Sequence, residues 1–134
     1  MAKIEIKLPE GWNGQVGEQY VEIANQDGTA SVEVTVGNMP EDSAAPEQAL
    51  INFIDMVGFD DDDPEDYSPI EKWDFNNRKA YGFDAYLEDE SSIRVLCIEP
   101  KNGVLAVISI VGKSEQIVEE TMKLLERVLR IRYI

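Results

Sequence analysis

Apolar and polar residues alternate with a period of two over much of this chain, which is the pattern of half-buried β-strands. Three such segments occupy its first third: Lys3–Leu8, Gln19–Ala24 and Ser31–Val36. The dipeptide Asp27-Gly28 favours a tight turn between the second and the third. Because strict alternation is typical of antiparallel sheets with one face in water, we expect these strands to be antiparallel.

A helical period follows these strands. Ser43 and Pro46 are helix start signals, and Gly58 is placed as a C-terminal cap. Between them apolar residues recur three and four positions apart, at Ala49, Leu50, Phe53, Ile54 and Val57. The spacing predicts a first helix in this segment.

The second half of the chain returns to strands and ends with another helix. Predicted strands are Ile70–Phe75, Ala80–Leu87, Ser92–Glu99 and Val104–Val111, the last apolar enough to be central and covered on both faces. Ser114 is a cap for a second helix, on whose polar side Glu119 and Lys123 have ion-pair spacing. The apolar stripe of this helix is Ile117, Val118, Thr121, Leu124, Leu125, Val128 and Leu129. The tail Ile131–Ile134 is expected to form a last short strand or an extended edge segment.

This order of elements predicts an α+β fold in one domain that spans residues 1–134. We expect a single antiparallel sheet of about seven strands with two helices packed on it. Three strands precede the first helix, and four strands lie between the helices.

Net negative charge is concentrated in the first half of the chain. Residues 1–66 contain 16 Asp or Glu and two Lys, residues 67–134 contain 11 acidic and 10 basic residues, and the formal net charge is −15. This distribution disfavours nucleic acid and anionic membranes and favours a basic or amphipathic protein partner. The N-terminus lacks the apolar run of a signal peptide, and no segment reaches the roughly 18 apolar residues of a membrane span. We therefore expect a cytoplasmic protein.

Few side chains are available for catalysis. The chain contains no His and one cysteine, Cys97. It therefore lacks His-dependent nucleophiles, His-containing zinc sites and an internal disulfide, and we expect neither a metal nor a cofactor. Chemistry by carboxylates, Lys or Tyr stays open.

Two local sequences resemble the PsbP/Mog-type superfamily of small α+β domains. The family's Leu-Pro-x-Gly-Trp element is matched by Leu8-Pro9-Glu10-Gly11-Trp12, and a glycine in the later meander is matched by Gly82. The resemblance covers nearly the whole chain. It implies this fold and the binding of other proteins without catalysis, as by a photosystem II accessory subunit, a binder of the Ran GTPase and effector-associated chaperones of type VI secretion. It carries no catalytic motif to transfer.

Two features are candidates for partner binding. The first, the acidic block, consists of Asp60, Asp61, Asp62, Asp63, Glu65 and Asp66. A solvated loop is its plainer interpretation and an irregular divalent-ion site the alternative, because Pro64 and Glu65 break the pattern of an EF-hand loop. The second is Trp12, either an exposed recognition residue or, as its position after a turn favours, a packed corner. Trp73 and Phe75 alternate in one strand and should share the core face.

Three further residues have chemical potential. Cys97 is in phase with Ile93 and Val95, so we expect a buried, unreactive thiol. Arg94 lies on the opposite face and is expected to pair across strands or to lie at the sheet end. For Asp84 a partly buried general acid is one interpretation, and a hydrogen-bonded or outward-facing carboxylate is the more usual one.

The leading hypothesis is a non-enzymatic cytoplasmic protein-binding domain: an adaptor, an effector chaperone or an immunity-type protein, monomeric or homodimeric. Its binding surface is expected on the first three predicted strands and the acidic block. A small-molecule-binding module that uses the groove between helix and sheet is the alternative, and a carboxylate-based enzyme comes third.

Overall fold

Nine strands and one helix make up the residues that the structure, a computed structural model, describes: 2–38, 71–86, 90–101 and 104–133. The elements are β1 (Ala2–Ile6), β2 (Trp12–Val16), β3 (Tyr20–Asn25), β4 (Ala30–Asn38), β5 (Glu71–Phe75), β6 (Arg78–Tyr86), β7 (Ser92–Lys101), β8 (Val104–Gly112), α1 (Glu115–Val128) and β9 (Leu129–Tyr133). The predicted helix around Ala49–Val57 and the acidic block lie outside the described residues.

A seven-stranded sheet in the order β2-β3-β4-β8-β7-β6-β5 is the largest element of the fold, and all of its neighbouring strands are antiparallel. It confirms the α+β class and the large antiparallel sheet. Its edge strand β2 was not predicted, because Gly14 takes the central non-polar position of Trp-Asn-Gly-Gln-Val and leaves its alternation incomplete. Backbone pairing to β3 defines this strand. The pairing requires glycine at position 14, because the Cβ of any other residue there would overlap the main chain at Glu22.

The first predicted strand lies outside this sheet, so the expectation of one single sheet is wrong. β1 pairs antiparallel with the C-terminal strand β9 in a separate two-stranded sheet, where Ile4 is opposite Ile131. The amide of Lys7 also donates to the carbonyl of Val128, 3.1 Å away. The alternation of residues 3–8 predicts a strand but does not specify its partner, which here comes from the far end of the chain.

The main core lies between one face of the seven-stranded sheet and a layer formed by α1 with the β1–β9 pair. The amide of Ile117 donates to the Oγ of Ser114, which confirms the predicted helix cap. The helix buries the predicted stripe at Val118, Thr121 and Leu125. These side chains close over the valines of β3 and β4 and the isoleucines of β8.

On the opposite face of the sheet, the burial of side chains decreases from β6 and β7 toward β2. On β6 and β7 it carries a second buried cluster: Phe83, Ala85, Ile93, Val95 and Cys97. On β8, Leu105 and Val107 are half-buried, so this central strand is fully buried on one face and partly on the other. On β2, β3 and β4 the outward side chains are largely exposed. No helix among the described residues has the length and apolarity to cross a membrane.

Candidate functional site

Arg94 is the charged residue most deeply buried among those described, with 7% of its surface exposed. It points from β7 toward α1, on the face opposite Cys97, as the strand phase predicts. Four side chains surround its guanidinium, and we call these five residues the Arg94 cluster: Trp73, Asp84, Arg94, Glu119 and Met122.

Asp84 is directly opposite Arg94 in the β6–β7 register. Arg94 Nε donates to Asp84 Oδ1 at 2.7 Å, and Nη2 donates to Oδ2 at 3.1 Å. This bidentate geometry is the strongest form of arginine–carboxylate pairing. It confirms the predicted cross-strand pairing of Arg94 and the hydrogen-bonded interpretation of Asp84.

The helix supplies a second carboxylate for the guanidinium. Arg94 Nη1 donates to Glu119 Oε1 at 2.8 Å and lies 3.1 Å from the sulfur of Met122. The expected surface pairing of Glu119 with Lys123 is therefore wrong: Glu119 turns toward the sheet, and Lys123 has no ion pair within the described ranges. Spacing along one helix could not reveal this contact, because its two residues are 25 positions apart.

Trp73 covers the remaining side of the cluster. Its ring centroid is 4.7 Å from Arg94 Cζ, which is a cation–π distance. Gly82, on the strand between them, makes this approach possible, because a Cβ there would overlap the Trp73 ring and the carbonyl of Val95. The glycine that carried the family resemblance is thus required for Trp73 to reach Arg94.

These contacts keep the arginine charged. Burial lowers the pKa of Arg94, but hydrogen bonds and charge interactions with Asp84 and Glu119 outweigh it and raise the pKa above its usual value. The two carboxylates stay about half exposed, with 44% and 52% of their side-chain surface accessible. The cluster is therefore a satisfied ion pair network with outward-facing carboxylate oxygens.

A cavity of about 200 Å³ adjoins the cluster, between the first turns of α1 and the ends of β6 and β7. Its lining residues are Asp84, Ala85, Tyr86, Ser92, Arg94, Glu115, Val118 and Glu119. Three carboxylates and one guanidinium give this cavity a formal charge of −2.

A second polar surface, the acidic sheet face, lies on the other side of the sheet. It comprises the exposed outward side chains of β2–β4: Asn13, Gln15, Tyr20, Glu22, Ala24, Glu33 and Thr35, with the half-buried Ser31 among them. Glu22 and Glu33 are directly opposite each other, and this set contains no Lys or Arg. Tyr20 donates to Glu22 Oε2 at 2.9 Å, and this hydrogen bond is the main reason that the pKa of Tyr20 is raised to about 12.

An open depression of about 360 Å³ crosses the acidic sheet face between Gln15 and Ser31. Within the described ranges, no three His, Cys, Asp or Glu residues are close enough to hold a metal ion together.

Comparison with known proteins identifies the architecture. No protein-family model and no curated protein matches the sequence. CyanoP, the cyanobacterial PsbP of Synechocystis sp. PCC 6803, matches 98% of this chain and 87% of its own, with a TM-score of 0.58 and 15% identity. LpqN, a protein involved in cell envelope biogenesis of Mycobacterium tuberculosis, is also similar. The match covers 99% of this chain and 85% of LpqN, with a TM-score of 0.63 and 9% identity. This chain has the PsbP-like fold.

In this PsbP-like domain Trp12 lies in β2 and is half-buried against the main core. This position agrees better with the packed-corner interpretation than with an exposed recognition residue. The side chains of Trp73 and Phe75 share the core face, as predicted. Sequence reasoning did not single out Ser92, Glu115 or the pair Glu22 and Glu33. For the pair, a usable signal was present, since both glutamates occupy polar positions of strands joined by a predicted turn.

Proposed function

We propose that this PsbP-like chain is a non-enzymatic protein-binding domain whose acidic sheet face meets a basic or amphipathic partner. The observation that supports it most is the direct opposition of Glu22 and Glu33 on a face where the described outward side chains of β2–β4 include no Lys or Arg. The two solved structures of the same fold, CyanoP and LpqN, are consistent with an accessory rather than a catalytic role.

Like charges directly opposite each other destabilise an antiparallel pair. Here Gln15 and Ser109 flank the two glutamates across the sheet, and neither neutralises them. A lysine or arginine from a partner would relieve this repulsion and would be steered to the surface by the field of the acidic half. The depression beside Glu22 offers space for such a side chain.

The acidic block belongs to the same proposal through its charge. Asp60, Asp61, Asp62, Asp63, Glu65 and Asp66 add six carboxylates to the half of the chain that carries the acidic sheet face. We propose that they strengthen its long-range attraction for the partner. Trp12 is a weaker candidate, because its side chain already packs against the main core.

The two other functions are less well supported. The cavity beside Arg94, at about 200 Å³, is smaller than the roughly 300–1,000 Å³ of typical ligand pockets. A carboxylate enzyme would need a free general acid, whereas both oxygens of Asp84 accept hydrogen bonds from Arg94. We further propose a cytoplasmic monomer or homodimer that binds neither nucleic acid nor membrane, which fractionation and light scattering would test.

Association kinetics with a lysine-rich amphipathic peptide test the proposal. Stopped-flow rates are measured over a NaCl series for the wild type, for Glu22→Gln/Glu33→Gln and for a variant with Asp60, Asp61, Asp62 and Asp63 changed to Asn. We expect both variants to associate several-fold more slowly at low salt, with little change in dissociation, because exposed charges act mainly on encounter. The difference should shrink as the Debye length falls to about 8 Å at physiological salt.

A matched control separates the face from net charge alone. Glu120→Gln/Glu126→Gln removes the same two charges from α1, on the other side of the sheet. If this control slows association as much as Glu22→Gln/Glu33→Gln does, the acidic sheet face is not the docking surface and the proposal fails. Equal rates for the four-Asn variant and the wild type would remove the acidic block from it.

A further inference from the structure

We infer that the partner binds by adding an extended strand to the outer edge of β2, and that this strand alternates basic and apolar residues. The inference rests on the proposed function, because it states how a basic partner would meet the acidic sheet face. β2 is one end of the seven-stranded sheet, and within the described ranges no strand pairs with its outer side. Sheet edges can recognise extended peptides through main-chain hydrogen bonds.

β2 differs from the other edge strands in composition. Natural edge strands discourage the addition of a further strand with charged side chains, proline or a bulge. Among the described strands, β5, β1 and β9 each carry at least two charged residues at their edges. β2, with the sequence Trp-Asn-Gly-Gln-Val, has neither charge nor proline, and it pairs with β3 in unbroken register. Of the edges that the described residues form, β2 is therefore the one without this protection.

Hydrogen bonds just beyond each end of β2 show which of its residues face β3. The amide of Gln26 donates to the carbonyl of Gly11 at 2.7 Å, and the amide of Gly17 donates to the carbonyl of Tyr20 at 2.9 Å. Both pairs belong to the same register as β2 and β3. Hydrogen-bonded pairs alternate along an antiparallel ladder, so residues 13 and 15 also bond to β3.

The intervening residues, Trp12, Gly14 and Val16, therefore direct their main-chain groups to the outer side of β2. The amide of Trp12 donates to the carbonyl of Pro9 at 3.2 Å, which leaves only the carbonyl of Trp12 for a partner. Gly14 has no side chain, so another backbone can approach the middle of the strand closely. The amides of Gly14 and Val16 and the three carbonyls form a set of donors and acceptors that an extended peptide matches.

The two faces of β2 specify which side chains the added strand should have. On the acidic sheet face, the depression of about 360 Å³ runs from Gly14 and Gln15 to Glu22. Two strand spacings, about 10 Å, separate an added strand from β3, and a lysine side chain lying in this depression would approach the Glu22 carboxylate. On the other face, Val16 is 49% exposed although its cross-strand neighbour Val21 is fully buried. An apolar side chain of the added strand would cover Val16 there.

Charge favours a different protein over a second copy of this chain as the occupant. A second copy would bring a net charge of −15 to an edge that adjoins Glu22 and Glu33, and its own β2 has no basic residue to offset them. A strand with lysine or arginine at every second position supplies the complementary charge on the acidic sheet face.

Amide hydrogen exchange tests the inference. Exchange in the full chain is followed by NMR at 0.15 M NaCl, with and without the blocked peptide Lys-Val-Lys-Val-Lys-Val-Lys. We expect exchange of the Gly14 and Val16 amides to slow by at least about tenfold at saturation, because each gains a hydrogen bond. The amides of β5, the other edge of the same sheet, are the internal control and should change less. A peptide of the same composition without alternation, Lys-Lys-Val-Val-Lys-Lys-Val, should bind at least about tenfold more weakly.

A substitution in β2 tests the same contact by affinity. Val16→Pro removes one outward donor at an edge position whose N–H faces solvent, where proline is tolerated. It should weaken binding of the alternating peptide by at least about tenfold, because a hydrogen bond is lost and the proline ring obstructs the added strand. Val16→Thr, the matched control, keeps the amide and the β-branched shape and should stay within about threefold of the wild type. If Val16→Pro does not fold, as judged by circular dichroism, the exchange rates of the wild type decide.

The outcomes separate this inference from the proposed function. Saturable peptide binding that leaves the Gly14 and Val16 amides unprotected would overturn strand addition. So would equal affinity of the wild type and folded Val16→Pro, or no saturable binding of the alternating peptide. The acidic sheet face would then be judged by the Glu22→Gln/Glu33→Gln kinetics alone. Protection of the two amides that rises with protein concentration in the absence of peptide would assign the edge to a second copy and would also overturn the inference.

Discussion

Arg94 connects β5, β6, β7 and α1 through a single guanidinium. Burial of a charge is costly unless its hydrogen-bonding groups are matched, and here a bidentate carboxylate, a second carboxylate and an aromatic ring match them. Arg94 therefore fixes the orientation of the helix on the sheet and, at the same time, leaves two half-exposed carboxylates beside the cavity.

Cys97 should be inert in the folded protein. It has no exposed surface, and desolvation by burial raises the pKa of its thiol to about 12. At neutral pH the reactive thiolate is therefore scarce, and reagents cannot reach it. We expect slow labelling by a disulfide reagent such as dithionitrobenzoate in native buffer and fast labelling in denaturant. Similar rates in both would contradict the strand phase of β7.

Tyr20 should ionise late. Its hydrogen bond to Glu22, with nearby carboxylate charge, raises its pKa to about 12, so the interaction is intact below the ordinary pKa near 10 and is lost as pH rises through the higher value. In ¹³C-tyrosine NMR the Tyr20 signal should move little by pH 11. In Glu22→Gln its pKa should fall toward 10, while the same change at Glu120 should have no effect. A Tyr20 signal that is fully titrated at pH 11 in the wild type would exclude the hydrogen bond.

At the scale of elements, Gly82 should resist substitution although strands usually disfavour glycine. A Cβ at this position meets the Trp73 ring and the Val95 carbonyl, so Gly82→Ala should destabilise the fold by about 1–3 kcal/mol. Gly37→Ala is the matched control, since β4 has open space there and the substitution should be neutral or slightly stabilising, by up to about 1 kcal/mol. Urea denaturation measures both. Equal stability of the two variants would mean that Trp73 does not pack over Gly82.

The helix should depend on Leu125 for its attachment to the sheet. Leu125 is 2% exposed in the main core, and Leu125→Ala should cost about 2–5 kcal/mol of unfolding free energy. Leu124→Ala, at a half-buried position one residue earlier, should cost about 1 kcal/mol. If urea denaturation gives the opposite order, the stripe has been assigned to the wrong side of α1.

Sequence reasoning succeeded for features encoded by neighbouring residues and failed for contacts between residues far apart in the chain. Alternation and turn dipeptides are local, and they predicted β3, β4, β7 and β8 as strands and Cys97 of β7 as buried. The partner of β1 is more than a hundred residues away, and no local pattern encodes it. The same limit applies to the Arg94 cluster: Asp84 and Arg94 were noticed one by one, whereas Glu119 and Trp73 join them only through tertiary packing.

At the scale of the whole molecule, the large negative charge should make stability depend on salt. A net −15, with −14 from residues 1–66, implies repulsion that is greater in the compact state than in the expanded unfolded chain. Added NaCl screens this repulsion, because the Debye length falls from about 30 Å at 0.01 M to about 8 Å at 0.15 M. We therefore expect the Tm of the free protein to rise with salt over this range, as measured by differential scanning fluorimetry.

The variant with Asp60, Asp61, Asp62 and Asp63 changed to Asn sharpens this last prediction. It reduces the net negative charge from −15 to −11 without changing any described residue. If diffuse repulsion is the cause, its Tm should be higher than that of the wild type at 0.01 M NaCl, and the two should converge as salt is added. Binding to a basic partner has the opposite salt dependence, because screening removes an attraction there. A wild-type Tm that is flat or falls with salt would mean that local ion pairs such as that of Lys3 with Glu18 outweigh the net charge. The acidic half would then act on partners alone and not on the fold.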